Sequence, residues 1–168
     1  TNAKGKIYSK QEGVVAGLIF IKRIFEFLGS KLDILVKEGE KVSKKTAVAS
    51  FDGNIHNLLQ AERVSLNILG RLSGIATQTA KMIEIAHEIN PQLKICATRK
   101  VVPGLGKYDK YAVVAGGGDT HRFNLSDMIP LKENHLGGFK SITEAITKAK
   151  EVTSFSKKIE VEVQNEEQ

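Results

Sequence analysis

Apolar runs that stop at ionisable residues recur along the second half of this chain. They are LKICATRK (93–100), GGGDTHRF (116–123), MIPLKENH (128–135) and KKIEVEV (157–163). The segments between them have helical spacing, so the order predicts parallel strands joined by right-handed crossovers. Ligands bind at the carboxyl ends of such strands, and the side chains there are expected to converge on one pocket. These side chains are Arg99, Lys100, His121, Arg122, Lys132 and Glu162.

The charge balance favours an anionic ligand for this pocket. The chain has 25 Lys and Arg against 19 Asp and Glu, a formal net charge of +6. Such an excess attracts nucleic acid, an anionic membrane surface or a small phosphorylated substrate. The basic residues are spread out, without a long run and without interleaved aromatic residues, so a nucleic-acid groove is the weaker interpretation. A small anionic ligand fits better.

Size and composition predict one full domain or two small ones with an aliphatic core. The 168 residues are 41% hydrophobic and 6% aromatic, without Trp, which is close to the globular balance. Cys96 is the only cysteine, so an intrachain disulfide is impossible and a cytoplasmic location is predicted. The longest apolar stretch, 14–21, is too short to cross a bilayer and lacks signal-peptide flanks, so neither a membrane span nor a signal peptide is expected.

The first half of the chain has the pattern of an α+β unit. Apolar spacing predicts one amphipathic helix over residues 13–29 that ends at Gly29. Short antiparallel strands are expected from residue 31 to about 59, because turn-forming residues interrupt the apolar runs. Two consecutive helices are predicted over residues 57–90, with a break near Ser73-Gly74 and an end at Pro91. A domain boundary near residue 71 divides the chain into 1–71 and 72–168.

The second half is expected to contain three or four strands. They are Leu93–Ala97, a short strand around His121, Ile129–Leu131 and Lys158–Val163. A closed barrel needs more strands than these. An incomplete barrel is therefore predicted, and the chain is expected to be a fragment of a longer enzyme.

Adjacent cations follow two of the predicted strands. Arg99-Lys100 and His121-Arg122 would each repel unless an anion lies near them, which favours a carboxylate or phosphate ligand over a solvated loop. The glycines at 116–118 either let backbone N–H groups approach that ligand or form a plain turn. Their spacing matches neither the dinucleotide fingerprint nor the P-loop.

The last two strands supply a cation and a carboxylate. Lys132 follows a buried strand and either extends to water or faces a ligand; the ligand is favoured. Glu160 and Glu162 share one strand face, because side chains alternate. A glutamate near several cations can hold a metal, orient a ribose hydroxyl or stabilise a developing cation, whereas a surface salt-bridge face is the alternative, especially for Glu160.

Four sequence blocks together carry a resemblance to a known family. ERVSLNILGRLSGIATQTA, TRKVVPGLGKYDKYAV, GGGDTHRFNLSDMIPLKENH and IEVEV occur in this order. They resemble quinolinate phosphoribosyltransferase, and the similarity runs from about Gly13 to the end. The resemblance implies an α+β N-terminal sandwich domain (1–71) followed by an α/β barrel domain (72–168), which is incomplete here. It also implies a homodimer in which each active site is completed by the neighbouring subunit.

The reaction implied by the resemblance belongs to NAD biosynthesis. The ring nitrogen of quinolinate attacks the anomeric carbon of phosphoribosyl pyrophosphate. Pyrophosphate leaves with the assistance of Mg²⁺, and the carboxylate next to the nitrogen is lost as CO₂. The product is nicotinate mononucleotide, and the enzyme class is a pentosyltransferase.

The resemblance also implies roles for individual residues. Quinolinate is a dianion, and Arg can grip carboxylates in a bidentate fork. By similarity Arg99, Arg122 and Lys132 hold the carboxylates, while Glu162 stabilises the ribosyl cation or binds ribose hydroxyls and metal. Lys100 and Glu162 are the expected catalytic residues, and Arg63 is expected to reach the partner's site. No metal ligand in the protein is expected with certainty, since Mg²⁺ would be held through the pyrophosphate. Further residues lining the basin are Thr98, Lys100, His121 and His135.

Three departures from the family keep alternatives open. Ala97 replaces the usual acidic residue before Thr-Arg-Lys, Gly106 stands where Arg is common, and the second acidic residue and phosphate-binding loops that follow IEVEV in the family are missing. A non-catalytic anion-binding or dimerisation module is therefore an alternative, which would bind pyridine dicarboxylates without Mg²⁺ or phosphoribosyl pyrophosphate and release no CO₂. A homologue linked to molybdate transport is a further alternative, which Lys132 and His135 disfavour.

Overall fold

The computed structural model describes residues 1–168, and its elements fall into two units, Thr1–His121 and Arg122–Gln168. The first unit begins with a three-stranded antiparallel sheet in the order β1-β5-β3. The strands are β1 (Asn2–Tyr8), β3 (Lys31–Ile34) and β5 (Ala47–Asn54). The short antiparallel strands expected from residue 31 onward are confirmed, whereas β1 was not anticipated.

The first helix is shorter than predicted. Helix α1 (Leu18–Phe27) buries Leu18, Ile21 and Phe25, and residues 13–14 instead form strand β2, which pairs with β4 (Lys41–Val42). The predicted start at residue 13 is therefore wrong. The end at Gly29 is confirmed, because this glycine has a φ of 68° just beyond the helix, a conformation that favours glycine.

The predicted break near Ser73-Gly74 does not exist. Residues 55–89 form one helix of 35 residues, α2 (Ile55–Ile89), whose buried positions continue without interruption from Leu58 to Thr79. Gly70 and Gly74 face open space, so neither glycine is needed for a turn. The low helix propensity of the two glycines is outweighed, because the buried stripe on either side of them packs as one face. The end near Pro91 is confirmed.

Two hydroxyl groups of α2 hold strand β2. The Thr77 Oγ1 accepts a hydrogen bond from the Val14 N–H at 2.9 Å, and the Ser73 Oγ accepts one from the Ala16 N–H at 3.0 Å. β2 has only one neighbouring strand, so these hydroxyls satisfy backbone groups that a further strand would otherwise bind. The position of α2 against the N-terminal region is set by these bonds and by apolar packing.

Helix α3 (Gly106–Ala115) lies against both α1 and α2. The Phe20 ring makes edge-to-face contacts with Tyr108 and Tyr111, at centroid distances of 5.0 and 4.9 Å. Burial raises the pKa of Tyr111 to about 12, with further contributions from the charge of Glu38 and a hydrogen bond to it. Glu38 in turn accepts hydrogen bonds from the backbone N–H groups of Gly17 and Leu18 at the start of α1.

The second unit is a small α/β layer. Strand β6 (Ile129–Leu131) pairs in parallel with β7 (Ile159–Val161), as predicted for these two runs. Between them lie α4 (Glu133–Leu136) and α5 (Ile142–Val152), and Ala145 and Ala149 of α5 pack with Leu131. No sheet of the structure closes into a barrel. None of the helices combines the length and apolar character needed to cross a bilayer.

The division at residue 71 stays a prediction. This residue lies inside α2, whereas the two units meet at residues 121 and 122. The sandwich and barrel architecture also stays a prediction.

Candidate functional site

A single parallel bridge replaces the strand predicted over residues 93–97. The Ala97 N–H donates to the Asp119 carbonyl, and the Asp119 N–H donates to the Ile95 carbonyl, each at 2.9 Å. No longer strand forms at 93–97. The bridge is parallel, so the chain leaves it in the same direction toward Thr98 and toward Thr120. Asp119 takes part only in this bridge, so the short strand predicted around His121 does not form either.

The Thr98-Arg99-Lys100 segment forms a compact turn beyond this bridge. The Thr98 Oγ1 accepts a hydrogen bond from the Lys100 N–H at 3.0 Å, a local bond typical of threonine in turns. Arg99 and Lys100 are exposed. All three residues line a cavity of about 680 Å³, a volume within the range of small-molecule sites.

Charged residues of α2 and α3 also line this cavity. Arg71 donates from Nε and Nη2 to the two carboxylate oxygens of Asp109, both at 2.8 Å. The hydrogen bond that Arg71 donates to Asp109 raises the pKa of the Arg71 guanidinium. Lys110, only 3% exposed, donates from Nζ to the Thr120 carbonyl. These three residues were not predicted, because no local pattern distinguishes a charge that meets a distant helix from one that is only solvated.

The triple glycine serves the helix end and not a ligand. The N–H groups of Gly117 and Gly118 donate to the carbonyls of Val114 and Val113, the two bonds of a Schellman motif, with Gly117 at a φ of 91°. A Cβ on Gly118 would lie 2.8 Å from the Ile95 carbonyl oxygen. The plain-turn interpretation is therefore confirmed, and the suggested approach of these N–H groups to a ligand is wrong.

His121 occupies an unusual backbone conformation at the end of the first unit. Its φ is 51°, which is uncommon for a residue other than glycine. The Asp119 Oδ1 accepts the His121 N–H at 2.6 Å, and the Lys110 ammonium binds the intervening Thr120 carbonyl. The backbone before His121 is therefore fixed on both sides.

The second unit brings three of the predicted residues together. The Lys132 Nζ and the Glu162 Oε2 are 2.7 Å apart, with about half of each side chain exposed. The Lys132 backbone N–H donates to the His135 Nδ1 at 3.1 Å. Arg122 is partly buried, and its Nη1 is fully buried without a hydrogen-bond partner. A buried guanidinium nitrogen of this kind suits an anion.

A structured turn follows Arg122. The Asp127 Oδ2 accepts the backbone N–H groups of Phe123 at 2.7 Å and Asn124 at 3.1 Å. These bonds, led by that from Phe123, lower the pKa of the Asp127 carboxyl. The segment after Arg122 is therefore held by its own side chains.

Arg63 lies apart from the other predicted residues of its unit. It is exposed on α2 and lines a second cavity of about 520 Å³, formed with the β1–β2 connection. It does not line the cavity that contains Arg99. The convergence of all the predicted residues on one site stays a prediction. The structure contains no group of three or more His, Cys, Asp or Glu that could hold a metal ion.

Sequence comparisons cover the whole chain. Residues 1–73 match the family model "Quinolinate phosphoribosyl transferase, N-terminal domain", and residues 75–168 match the corresponding C-terminal domain. The probable nicotinate-nucleotide pyrophosphorylase [carboxylating] of Methanocaldococcus jannaschii is 44% identical over 163 residues, which are 97% of this chain and 56% of that protein. The protein with the same description from Bacillus subtilis is 41% identical, over 99% of this chain and 58% of its own length.

Solved structures agree with these matches. NadC from Streptococcus pyogenes is 39% identical and superposes with a TM-score of 0.90, covering 98% of this chain and 59% of that one. The chain thus spans less than two thirds of the relatives it matches. Two adjoining domain models and relatives at this level of identity lead to one conclusion: the chain belongs to the quinolinate phosphoribosyl transferase family.

Proposed function

We propose that this chain carries the quinolinate-binding part of an enzyme that converts quinolinate and phosphoribosyl pyrophosphate into nicotinate mononucleotide, pyrophosphate and CO₂. The observation that carries the proposal is the 680 Å³ cavity lined by Thr98, Arg99 and Lys100 beyond the Cys96–Asp119 bridge. The relatives are named for this carboxylating reaction. Basic side chains at the end of parallel backbone segments suit a small dianion.

In the proposed reaction, the ring nitrogen of quinolinate forms a bond to the anomeric carbon as the bond to pyrophosphate breaks. The ring nitrogen then carries a positive charge. When the adjacent carboxylate leaves as CO₂, the electron pair of the broken C–C bond stays on the ring carbon, stabilised by this nitrogen, and a proton completes the product. No covalent protein nucleophile is required.

We assign the carboxylates of quinolinate to Arg99, Arg122 and Lys132. The buried, unpartnered Nη1 of Arg122 supports an anionic partner for this residue. Thr98, Lys100, His121 and His135 would line the same basin, with Lys100 near the departing charge. Glu162, paired with Lys132 at 2.7 Å, would stabilise the ribosyl cation electrostatically.

Magnesium would arrive with its substrate. We propose that Mg²⁺ enters bound to the pyrophosphate group of phosphoribosyl pyrophosphate, whose oxygens are the ligands that this ion prefers.

We further propose a homodimer in which Arg63 reaches the neighbouring site. Arg63 is exposed and does not line the cavity of Arg99 in its own chain, which is consistent with a role toward a second copy. Mixing Arg63→Ala with Arg99→Ala chains tests this. Random dimers would contain one intact site in half of the dimers and recover about a quarter of the wild-type rate, whereas no recovery would contradict the shared site.

The division into functional domains near residue 71, with a sandwich followed by part of an α/β barrel, belongs to the same proposal. The two family models meet between residues 73 and 75, close to this position. A cytoplasmic location also stays a prediction, which rests on Cys96 being the only cysteine.

The reaction is tested with the purified chain. It is incubated with quinolinate, phosphoribosyl pyrophosphate and Mg²⁺ while nicotinate mononucleotide and CO₂ are measured, and quinolinate binding is titrated separately. Arg99→Ala should abolish both product formation and quinolinate binding. Arg23→Ala, which removes the same charge from an exposed ion pair on α1, should change neither. Binding without product would favour the non-catalytic anion-binding module, and no binding would contradict the proposal.

A further inference from the structure

One acidic side chain lines the cationic cavity beyond the Cys96–Asp119 bridge. The cavity lining includes Arg71, Arg99, Lys100 and Lys110, but Asp109 is its only carboxylate. A carboxylate beside a site for anions opposes ligand binding unless it has another task. The bidentate geometry with Arg71, at 2.8 Å for both bonds, indicates what that task is.

The Arg71 guanidinium is held by Asp109 and thereby kept from other anions. A bidentate pair uses both parallel N–H groups of the fork, which are the same groups that would grip a carboxylate or phosphate. The Asp109 side chain is 11% exposed and the Arg71 side chain 37%, so the pair is screened less than a surface pair. Arg99 and Lys100 line the same cavity and are exposed.

Backbone and helix contacts fix the carboxylate in place. Asp109 lies in the first turn of α3, where the helix dipole favours an anion, and its N–H donates to the Leu105 carbonyl at 2.9 Å. Arg71 comes from α2. The pair thus joins two helices at the cavity wall, and its geometry does not depend on a mobile side chain alone.

We propose that Asp109 is a specificity-determining residue that occupies Arg71, so that anions bind at the Arg99–Lys100 side and not across the whole cavity. The inference rests on the proposed function in naming quinolinate as the ligand. The electrostatic effect of Asp109 on Arg71 applies to any anion. Without Asp109, Arg71 becomes an additional fork for phosphate and for monocarboxylates. Without Arg71, Asp109 becomes an uncompensated carboxylate that repels dianions.

The two single substitutions should therefore act in opposite directions, although each breaks the same ion pair. Asp109→Asn should raise the affinity for inorganic phosphate by about threefold to tenfold and reduce the preference for quinolinate over nicotinate. Arg71→Met should weaken binding of both phosphate and quinolinate by about tenfold. The double variant removes both charges and should return phosphate affinity to within about threefold of the wild type.

The experiment is a calorimetric titration of phosphate, nicotinate and quinolinate at constant ionic strength. Asp33→Asn and Arg23→Met are matched controls, because they remove the same charges from exposed ion pairs, Lys31–Asp33 and Arg23–Glu26, that do not line the cavity. Asp109→Glu retains the charge and should move the phosphate affinity back from the Asn variant toward the wild type. Circular dichroism checks that each variant is folded.

Opposite signs for Asp109→Asn and Arg71→Met, absent in the controls, would support the inference. A loss of phosphate affinity in both variants would overturn it, since a purely structural clamp predicts equal signs. If Arg71→Met does not fold, the test rests on the order of the phosphate affinities of Asp109→Asn, the wild type and Asp109→Glu. If the variants bind phosphate in the expected order but the wild type does not bind quinolinate, the proposed function is contradicted. The inference about Asp109 is then still supported.

Discussion

The Lys110 ammonium on α3 donates a hydrogen bond to the backbone carbonyl of Thr120, the residue before His121. Lys110 is 3% exposed, and a lysine is rarely buried to this extent unless its charge is matched. The bond links the middle of helix α3 to the segment that leads into the His121-Arg122 pair. It explains how a residue at φ 51° is held in place before any ligand binds.

Lys110→Met should lower the free energy of unfolding by about 1.5–3 kcal/mol, because it removes a hydrogen bond from a charged donor while retaining most of the side-chain volume. Urea denaturation measures the change. Lys107→Met is the control, since Lys107 is exposed on the same helix and should cost less than about 0.5 kcal/mol. Equal effects would show that the Thr120 bond contributes nothing specific.

Thr77→Val should cost about 1–3 kcal/mol, because the buried Val14 N–H loses its acceptor while the side-chain shape is kept. Thermal and urea unfolding report the change. Thr147→Val on α5 is the matched control, since the Thr147 hydroxyl is exposed and bonds only a carbonyl one turn back. A neutral Thr77→Val variant would mean that the Thr77 hydroxyl contributes nothing to holding β2.

Gly74→Ala should raise the free energy of unfolding by about 0.5–1 kcal/mol. The site is in the interior of α2 with open space around the added methyl group, and alanine reduces the entropy of the unfolded chain. Gly116→Ala should instead destabilise, because its Cβ would lie 2.4 Å from the Ala76 carbonyl oxygen. Destabilisation by Gly74→Ala would indicate that another chain packs closely against this face.

Tyr111 should titrate at about pH 12, and a Tyr111→Phe variant should lack this step in the near-ultraviolet absorbance of tyrosinate. The folded-state pKa lies above the ordinary value of about 10. Tyr111 ionisation therefore leaves stability unchanged below about pH 10 and reduces it as the pH rises from there through 12. The stability difference between wild type and Tyr111→Phe should shrink across this interval. A constant difference would contradict the raised pKa.

Glu162→Gln should reduce turnover strongly while changing the free energy of unfolding by less than about 1 kcal/mol, because half-exposed ion pairs contribute little stability. Glu151→Gln is a matched control, since it disrupts the similarly exposed Lys148–Glu151 pair on α5 and should leave turnover intact. Paired measurements of product formation and urea denaturation separate the two effects. Full activity of Glu162→Gln would remove Glu162 from the proposed mechanism.

Local patterns were reliable where one element decides its own structure. The runs that contain β6 and β7 were predicted from apolar stretches of strand length, and their parallel pairing followed from the intervening helical segment. Strand β1 has the alternating pattern typical of a strand, in which Ala3, Gly5 and Ile7 face inward and the lysines face outward. Two glycines in α2 favour a break, but the apolar stripe that continues past them keeps the segment one helix.

The amino-acid sequence by itself determined the family, the parallel pairing of β6 with β7 and the basic residues that follow the apolar runs. Only the tertiary structure decided that Arg71 is occupied by Asp109 and that Lys110 is buried against Thr120. Sequence periodicity reports which face of an element is buried, because that depends on neighbours three or four residues away. The partner of a buried charge comes from a distant helix 38 residues away for Arg71 and Asp109, and no local spacing encodes it.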